Sequence, residues 1–220
     1  MTPDLIIFDC DGVLIDSELI SCGADAAALT KAGFPMSRDD VVRRFSGVPH
    51  KDMYAAIEAE FGRKLPQDFQ VRVAQSVRDQ YRTELQAVPG VHDTLARLTV
   101  PYCVASSSEP PKLRLGLSET GLLQLFEPHV YSASQVKRGK PAPDIFLFSA
   151  AQFGVASEYC VVVEDSVAGV TAAKAANMRV VGFAGGSHCG ADHGRKLLAT
   201  GAETVFERFD ALPDIVEQLP

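Results

Sequence analysis

No apolar run in this 220-residue chain is long enough to cross a bilayer, so a membrane-spanning protein is not expected. Basic charge is in short supply too. Against 28 Asp and Glu stand 21 Lys and Arg, a net charge of -7, and a nucleic-acid-binding footprint is not expected. The deficit leaves room for a small anionic ligand, because a local basic pocket or a metal can outweigh the global field. Cysteine is sparse and shows no pairing pattern. Cys10, Cys22, Cys103, Cys160 and Cys189 are scattered, odd in number and without a CxxC pair, which fits reduced thiols in the cytoplasm better than a disulfide frame. No basic segment precedes the first apolar run, so no signal peptide is expected. Repeats and low-complexity tracts are absent.

What is present is a hydrophobic content of 46%, enough for one large domain or two unequal ones. β-rich apolar runs recur at 5–9 (LIIFD), 102–106 (YCVAS), 129–133 (HVYSA), 160–165 (CVVVED), 179–183 (RVVGF) and 203–206 (ETVF). Most are continuously apolar, as strands covered on both faces should be. Helical patterns at 143–153 and 166–176 lie between the later ones, the first ending at Gly154, the second opening on Ser166 and ending at Asn177. Strand alternating with helix predicts right-handed βαβ units and a doubly wound parallel α/β sheet.

The stretch from about 17 to 86 contains no good strand. Met53, Ala56, Ile57, Glu60 and Phe61 follow the 3.6-residue period, with Glu60 the polar exception and Gly62 the stop. Phe69, Val73, Val77, Tyr81 and Leu85 fall at i+4 steps along one stripe, and Ser37 with Asp40 resembles a capping box. These features predict an all-helical insertion at 16–86 within an α/β core of 1–15 and 87–220.

The chemistry concentrates where strands end. In FDCDGVLIDSE (8–18), Asp9 and Asp11 share one side of an extended segment while Cys10 points away, a position read as packing. Ligands of open α/β folds bind beyond the carboxyl ends of the strands, so a second acidic pair, Glu164-Asp165, would face the same edge. Carboxylates gathered there need a cation, and hard oxygen donors suggest Mg²⁺. The plainer alternatives are an Asx turn after the first strand and a helix N-terminus after Glu164. Ser106, Ser107 and Ser108 end VASSS and offer hydroxyls and N–H groups to a phosphate, or form a plain serine loop and helix start. Lys140 precedes a Pro-x-Pro turn that would fix it where it could offset both carboxylate and phosphoryl charge. Lys137 and Arg138 read as a solvated basic loop.

FDCDGVLIDSE, VASSS, GKPAPD and VVVEDSVAG, in this order and spacing, resemble the four signature motifs of the haloacid dehalogenase-like hydrolase superfamily. The insertion resembles its four-helix C1 cap. Within the superfamily the chain is most similar to the phosphosugar branch, which holds sugar-phosphate and sugar-acid-phosphate phosphatases alongside β-phosphoglucomutase. The resemblance implies a Rossmann-like core with a helical lid, and assigns Asp9 as nucleophile and Asp11 as general acid and base. It implies a Mg²⁺ site of Asp9, the Asp11 carbonyl, Asp165 and Glu164, with Glu164 as ligand or supporting partner. Ser106, the Ser107 N–H and Lys140 would hold phosphoryl oxygens. The implied reaction is hydrolysis of a small phosphate monoester, a sugar or sugar-acid phosphate, by a monomer or weak homodimer.

Asp11 argues against a dehalogenase, and nothing marks Lys31 or Lys51 as a Schiff-base lysine. A mutase needs a second phosphate clamp, and the positions that supply it in β-phosphoglucomutase carry Ser21, His50 and Glu109 here. Hydrolysis is therefore expected, with Glu18, Gly47 and His50 as specificity residues on the lid side, although His50 also suits a helix start. A phospho-accepting receiver protein is the alternative from another class, and turnover separates the two. The segment GSHCGADHG (186–194) carries His188, Cys189, Asp192 and His193, but its spacing is not a recognised zinc pattern and a Gly-flanked loop is the simpler reading.

Overall fold

The computed structural model describes residues 2–45 and 48–219. It divides into two compact units, Ser17–Leu85 and the remainder of the chain. The larger unit is built on six parallel strands: β1 (Leu5–Phe8), β2 (Tyr102–Ser106), β3 (Val130–Ser132), β4 (Cys160–Glu164), β5 (Arg179–Phe183) and β6 (Thr204–Phe206). Their order is β3-β2-β1-β4-β5-β6. β1 pairs with β2 on one side and β4 on the other, so the strand order reverses around it. That is the position where open α/β sheets form their binding crevice.

All four residues of β1 are buried, and their alternation explains how. Leu5 and Ile7 join Cys103, Ala105, Val162, Ile145, Phe146 and Val170 on one face. Phe8 points to the other, where its ring lies 6.1 Å from Phe126 and 6.3 Å from Phe209. A strand loaded on both faces cannot alternate with polar residues, which is why its sequence is a continuous apolar run.

The smaller unit contains α1 (Glu18–Lys31), α2 (Arg38–Phe45), α3 (His50–Phe61) and α4 (Phe69–Glu84). Phe69, Val73, Val77, Tyr81 and Leu85 are all buried, as the i+4 stripe predicts. In α3 the buried residues are Met53, Tyr54 and Ile57, while Glu60 is exposed and pairs with Arg44. Gly62 closes α3 at φ +63°, a conformation that costs glycine little. Ahead of α2, the Ser37 hydroxyl accepts from Asp40 N at 3.1 Å and Ser37 N donates back to the Asp40 carboxylate at 3.4 Å, a reciprocal box with Asp in the Glu position.

The helices of the larger unit are α5 (Val91–Arg97), α6 (Pro110–Glu119), α7 (Leu123–Phe126), α8 (Asp144–Phe153), α9 (Val167–Ala175), α10 (His193–Thr200) and α11 (Leu212–Gln218). Ser166 caps α9, its hydroxyl accepting from Gly169 N at 3.0 Å. α10 begins within the segment whose sequence reads as a Gly-flanked loop.

Candidate active site

The C-terminal ends of β1, β2 and β4 carry the polar residues that the sequence singles out. Asp9 still pairs with the sheet, donating its N–H to Val163 O at 2.9 Å, and its side chain follows the parity of Leu5 and Ile7. The chain then turns tightly. The Cys10 carbonyl accepts from the N–H groups of Val13, Leu14 and Ile15, and Cys10 itself is fully buried, as its packing role requires. Gly12 adopts φ +83°, and a side chain there would come within 2.0 Å of Asp165 Oδ2. Glycine therefore lets the Asp165 carboxylate lie against the backbone that carries Asp9 and Asp11.

Lys140 is the centre of charge. Its side chain is 4% exposed, and its ammonium donates to Asp9 Oδ1 at 2.5 Å and to Glu164 Oε1 at 2.6 Å. The same nitrogen lies 4.9 Å from the centroid of the Phe146 ring, so its charge also faces an aromatic ring. Burial works against the charged ammonium, but Asp9 and then Glu164 outweigh it and hold the pKa of Lys140 above its ordinary value. Burial pushes Asp9 well up, Lys140 opposes that rise, and Glu164, Asp165 and Asp11 add to it. A buried carboxylate among three others stays ionised only where positive charge is supplied.

Glu164, expected among the metal ligands, has both oxygens committed elsewhere. Oε1 holds Lys140, while Oε2 accepts from Ser166 N at 2.8 Å and Ser166 Oγ at 2.9 Å. Its place is behind Lys140. The room for it comes from Gly169, where a Cβ would fall 1.7 Å from Glu164 Oε1.

Asp11 is half-buried and held by other partners. Ser108 Oγ donates to its Oδ2 at 2.6 Å, Ser106 Oγ lies 3.4 Å from the same oxygen, and Lys112 Nζ is 3.2 Å from Oδ1. Ser106 Oγ also accepts from Ser108 N at 3.0 Å, and Ser108 O accepts from Ser132 Oγ at 2.7 Å. Ser106 is buried whereas Ser107 is exposed. Lys112, in the first turn of α6, is a partner that sequence reasoning misses. A lysine after two prolines at a helix start looks like any surface lysine, and its approach to Asp11 depends on the packing of α6.

Asp165 accepts twice: its Oδ2 from His188 Nε2 at 3.0 Å, and its main-chain oxygen from His193 Nε2 at 2.6 Å. Burial opposes charge on His188, but the Asp165 hydrogen bond and then Cys189 push its pKa up to about 11. The Asp9 and Asp165 carboxylates and the Asp11 carbonyl would supply oxygen donors alone, with Gly12 opening the space beside Asp165, and that chemistry fits a hard divalent cation.

The sequence profile described as haloacid dehalogenase-like hydrolase matches residues 6–183. The chain belongs to that family. The hydrolase is 28% identical to 6-phosphogluconate phosphatase of Escherichia coli over 96% of this chain and 94% of that one. It is 31% identical to the phosphorylated carbohydrates phosphatase of Thermotoga maritima, over 98% and 100% of the two chains. Among solved structures, a haloacid dehalogenase-like protein of unknown function from Agrobacterium tumefaciens superposes with a TM-score of 0.89 at 42% identity, covering 97% of each chain.

In the smaller unit of the hydrolase, the expected specificity residues are placed as follows. His50 opens α3, with Nε2 3.1 Å from Asp25 Oδ2 and its ring stacked on Tyr54 at 5.6 Å between centroids. Tyr54 donates to Asp25 Oδ1 at 2.7 Å, so a buried carboxylate orients both rings. Asp25 and Tyr54 carry no motif in the sequence, since Asp25 sits in an Ala-rich run. Glu18 is the first residue of α1 and half-buried, and Gly47 lies outside the described residues.

Proposed function

We propose that the hydrolase is a Mg²⁺-dependent phosphatase that cleaves small phosphate monoesters of sugars or sugar acids through an aspartyl-phosphate on Asp9. The observation that carries this reading is the different company of the two aspartates: Asp9 is locked to the buried Lys140, and Asp11 is held by Ser108 and Lys112. The names of the relatives from Escherichia coli and Thermotoga maritima support the substrate class.

In the first step an Asp9 oxygen attacks phosphorus in line, the phosphorus–oxygen bond to the sugar breaks, and Asp11 gives the leaving oxygen its proton. In the second, Asp11 takes a proton from water as that water attacks the phosphorus of the aspartyl-phosphate, releasing inorganic phosphate and restoring Asp9. Lys140 holds Asp9 in place and offsets charge on the transferring group, and Ser106 and the Ser107 N–H would take its remaining oxygens. Glu164 positions Lys140. Asp9, the Asp11 carbonyl and Asp165 would hold Mg²⁺, which, when bound, screens the anionic phosphate from the carboxylates. Glu18, Gly47 and a His50 fixed by Asp25 select the substrate. Neither a macromolecular partner nor a stable oligomer is required.

The test is phosphate release from a panel of sugar, sugar-acid and nucleoside monophosphates, with and without Mg²⁺, including 6-phosphogluconate. Release that needs Mg²⁺ and vanishes in Asp9→Asn is the expected result. Single phosphorylation without turnover would mean a receiver-type protein, and conversion of a sugar 1-phosphate to its 6-phosphate would mean a mutase.

A further inference from the structure

The segment GSHCGADHG is a loop up to Asp192, as its sequence suggests, and enters α10 at His193. Cys189 N donates to Gly186 O at 2.9 Å and His193 N to Gly190 O at 2.9 Å, two turns that fold it back before α10 begins at His193. The fold-back brings three side chains together. One ligand atom each from His188, Cys189 and His193 lies within 4.8 Å of the other two. Asp192, the fourth candidate from the sequence, turns away to pair with Arg195.

We propose that His188, Cys189 and His193 form a binding site for a soft divalent ion of the zinc type, on the flank of Asp165. The donor set is one sulfur and two imidazoles, the chemistry that selects zinc over magnesium. A tetrahedral zinc with bonds of about 2.0–2.3 Å sets its ligand atoms roughly 3.5 Å apart. Cys189 Sγ and His188 Nε2 are already 3.5 Å apart. His188 is buried, and its Nδ1 has no hydrogen-bond partner, so the chain grips the ring at one nitrogen only and leaves it able to turn onto an ion. Access comes from the other side. A cavity of about 400 Å³ is lined by Cys189, Gly190, Gly194, Arg195 and Leu198 among others.

Binding releases to solvent the thiol proton and the extra proton that Asp165 holds on His188, leaving a thiolate and two neutral imidazoles on the ion, with a fourth position for water. It also takes His188 Nε2 away from Asp165 Oδ2, now 3.0 Å distant. Ion binding here therefore disturbs the oxygen site that would hold Mg²⁺, and zinc acts as an inhibitor.

The site is tested on the whole reduced protein with cobalt(II) as the probe, read by absorption so that the result does not depend on phosphatase activity. One equivalent of cobalt should give a near-ultraviolet sulfur-to-metal charge-transfer band and the visible bands of a tetrahedral ion. Zinc should erase both, and excess Mg²⁺ should not. Cys189→Ser should lose the charge-transfer band, Asp192→Asn should keep it, and His193→Gln, which retains the thiol, should weaken and shift the visible bands. Cys10, Cys22, Cys103 and Cys160 are buried and do not compete. The proposal is overturned by absence of the band, by a band that survives Cys189→Ser, or by its displacement with Mg²⁺.

Discussion

Replacing Lys140 by Met keeps an unbranched chain of similar length and removes only the charge that two buried carboxylates share. Asp9 and Glu164 have side chains 9% and 1% exposed, and each contacts the ammonium within 2.6 Å. Stripping the partner from buried ions costs about 3–5 kcal/mol, which for a chain of this size lowers Tm by roughly 6–20 °C. The loss should depend on pH. Lys140 is what draws the pKa of Asp9 back down against burial, so without it Asp9 binds its proton still more tightly in the folded state than in the unfolded chain. A carboxyl whose folded pKa is raised contributes stability in acid and loses it as pH rises. The Tm deficit of Lys140→Met is therefore larger at about pH 8 and narrows toward about pH 5. Activity should fall by at least about 10²-fold at every pH, since Lys140 also positions Asp9. Lys140→Arg should not restore it, because a planar guanidinium does not fit between two carboxylates and the Phe146 ring. Thermal melts across pH, with phosphate release measured in parallel, check all three. An unchanged Tm, or a deficit of equal size at both ends of the pH range, would refute the reasoning.

Other outcomes follow from the same geometry. Gly169→Ala places a methyl on the Glu164 carboxylate and displaces Lys140 in turn, so kcat should fall by about 10²-fold although residue 169 lies outside the reacting groups; near-parental kcat would remove Glu164 from its supporting role. Burial pushes Asp9 up, against Lys140, and the nucleophile must be ionised, so kcat/KM should decline as pH falls through that raised pKa. Mg²⁺ favours the ionised form, and a pH–rate series at rising Mg²⁺ should move the acid limb to lower pH; a stationary limb counts against Asp9 as a ligand. Asp25→Ala strips Tyr54 and His50 of a common acceptor, costing about 1–3 kcal/mol, and should raise KM more than it lowers kcat. Tyr54→Phe breaks one of these bonds and should do less on both counts.

The sheet was legible because burial on both faces leaves a plain signature: each of the six apolar runs became a strand, and Gly154 and Ser166 mark the helix ends that their sequence signals predict. The stretch from 17 to 85 was legible as helical through the Phe69–Tyr81 stripe, whereas α1 has no such stripe because its buried positions include Asp25, Ser21 and two alanines. Of the site, the residues at strand ends could be found in order, since parallel strands deliver them to one edge. What they touch could not. Glu164 belongs to Lys140 because of where Gly169 leaves space, Lys112 reaches Asp11 because of how α6 packs, and the histidines of α10 and the preceding loop reach Asp165 from far along the chain. Local pattern encodes which residues arrive, and long-range packing decides their pairing.

The chain leaves the sheet unit after Asp16 and re-enters it at Gln86, and the two crossing points are stitched together. Asp16 N donates to Gln86 O at 3.0 Å, Val88 N donates to Leu14 O at 2.9 Å, and Ile15 and Ala87 form an antiparallel bridge. This narrow neck makes the inserted helices an exchangeable cassette, because the sheet closes on itself at the neck whatever is spliced beyond it. Lengthening the spliced segment adds only a slowly growing loop entropy. On the proposed mechanism, grafting foreign helical segments between residues 16 and 86 should diversify which esters are accepted while phosphate release still depends on Asp9, Asp11 and Lys140.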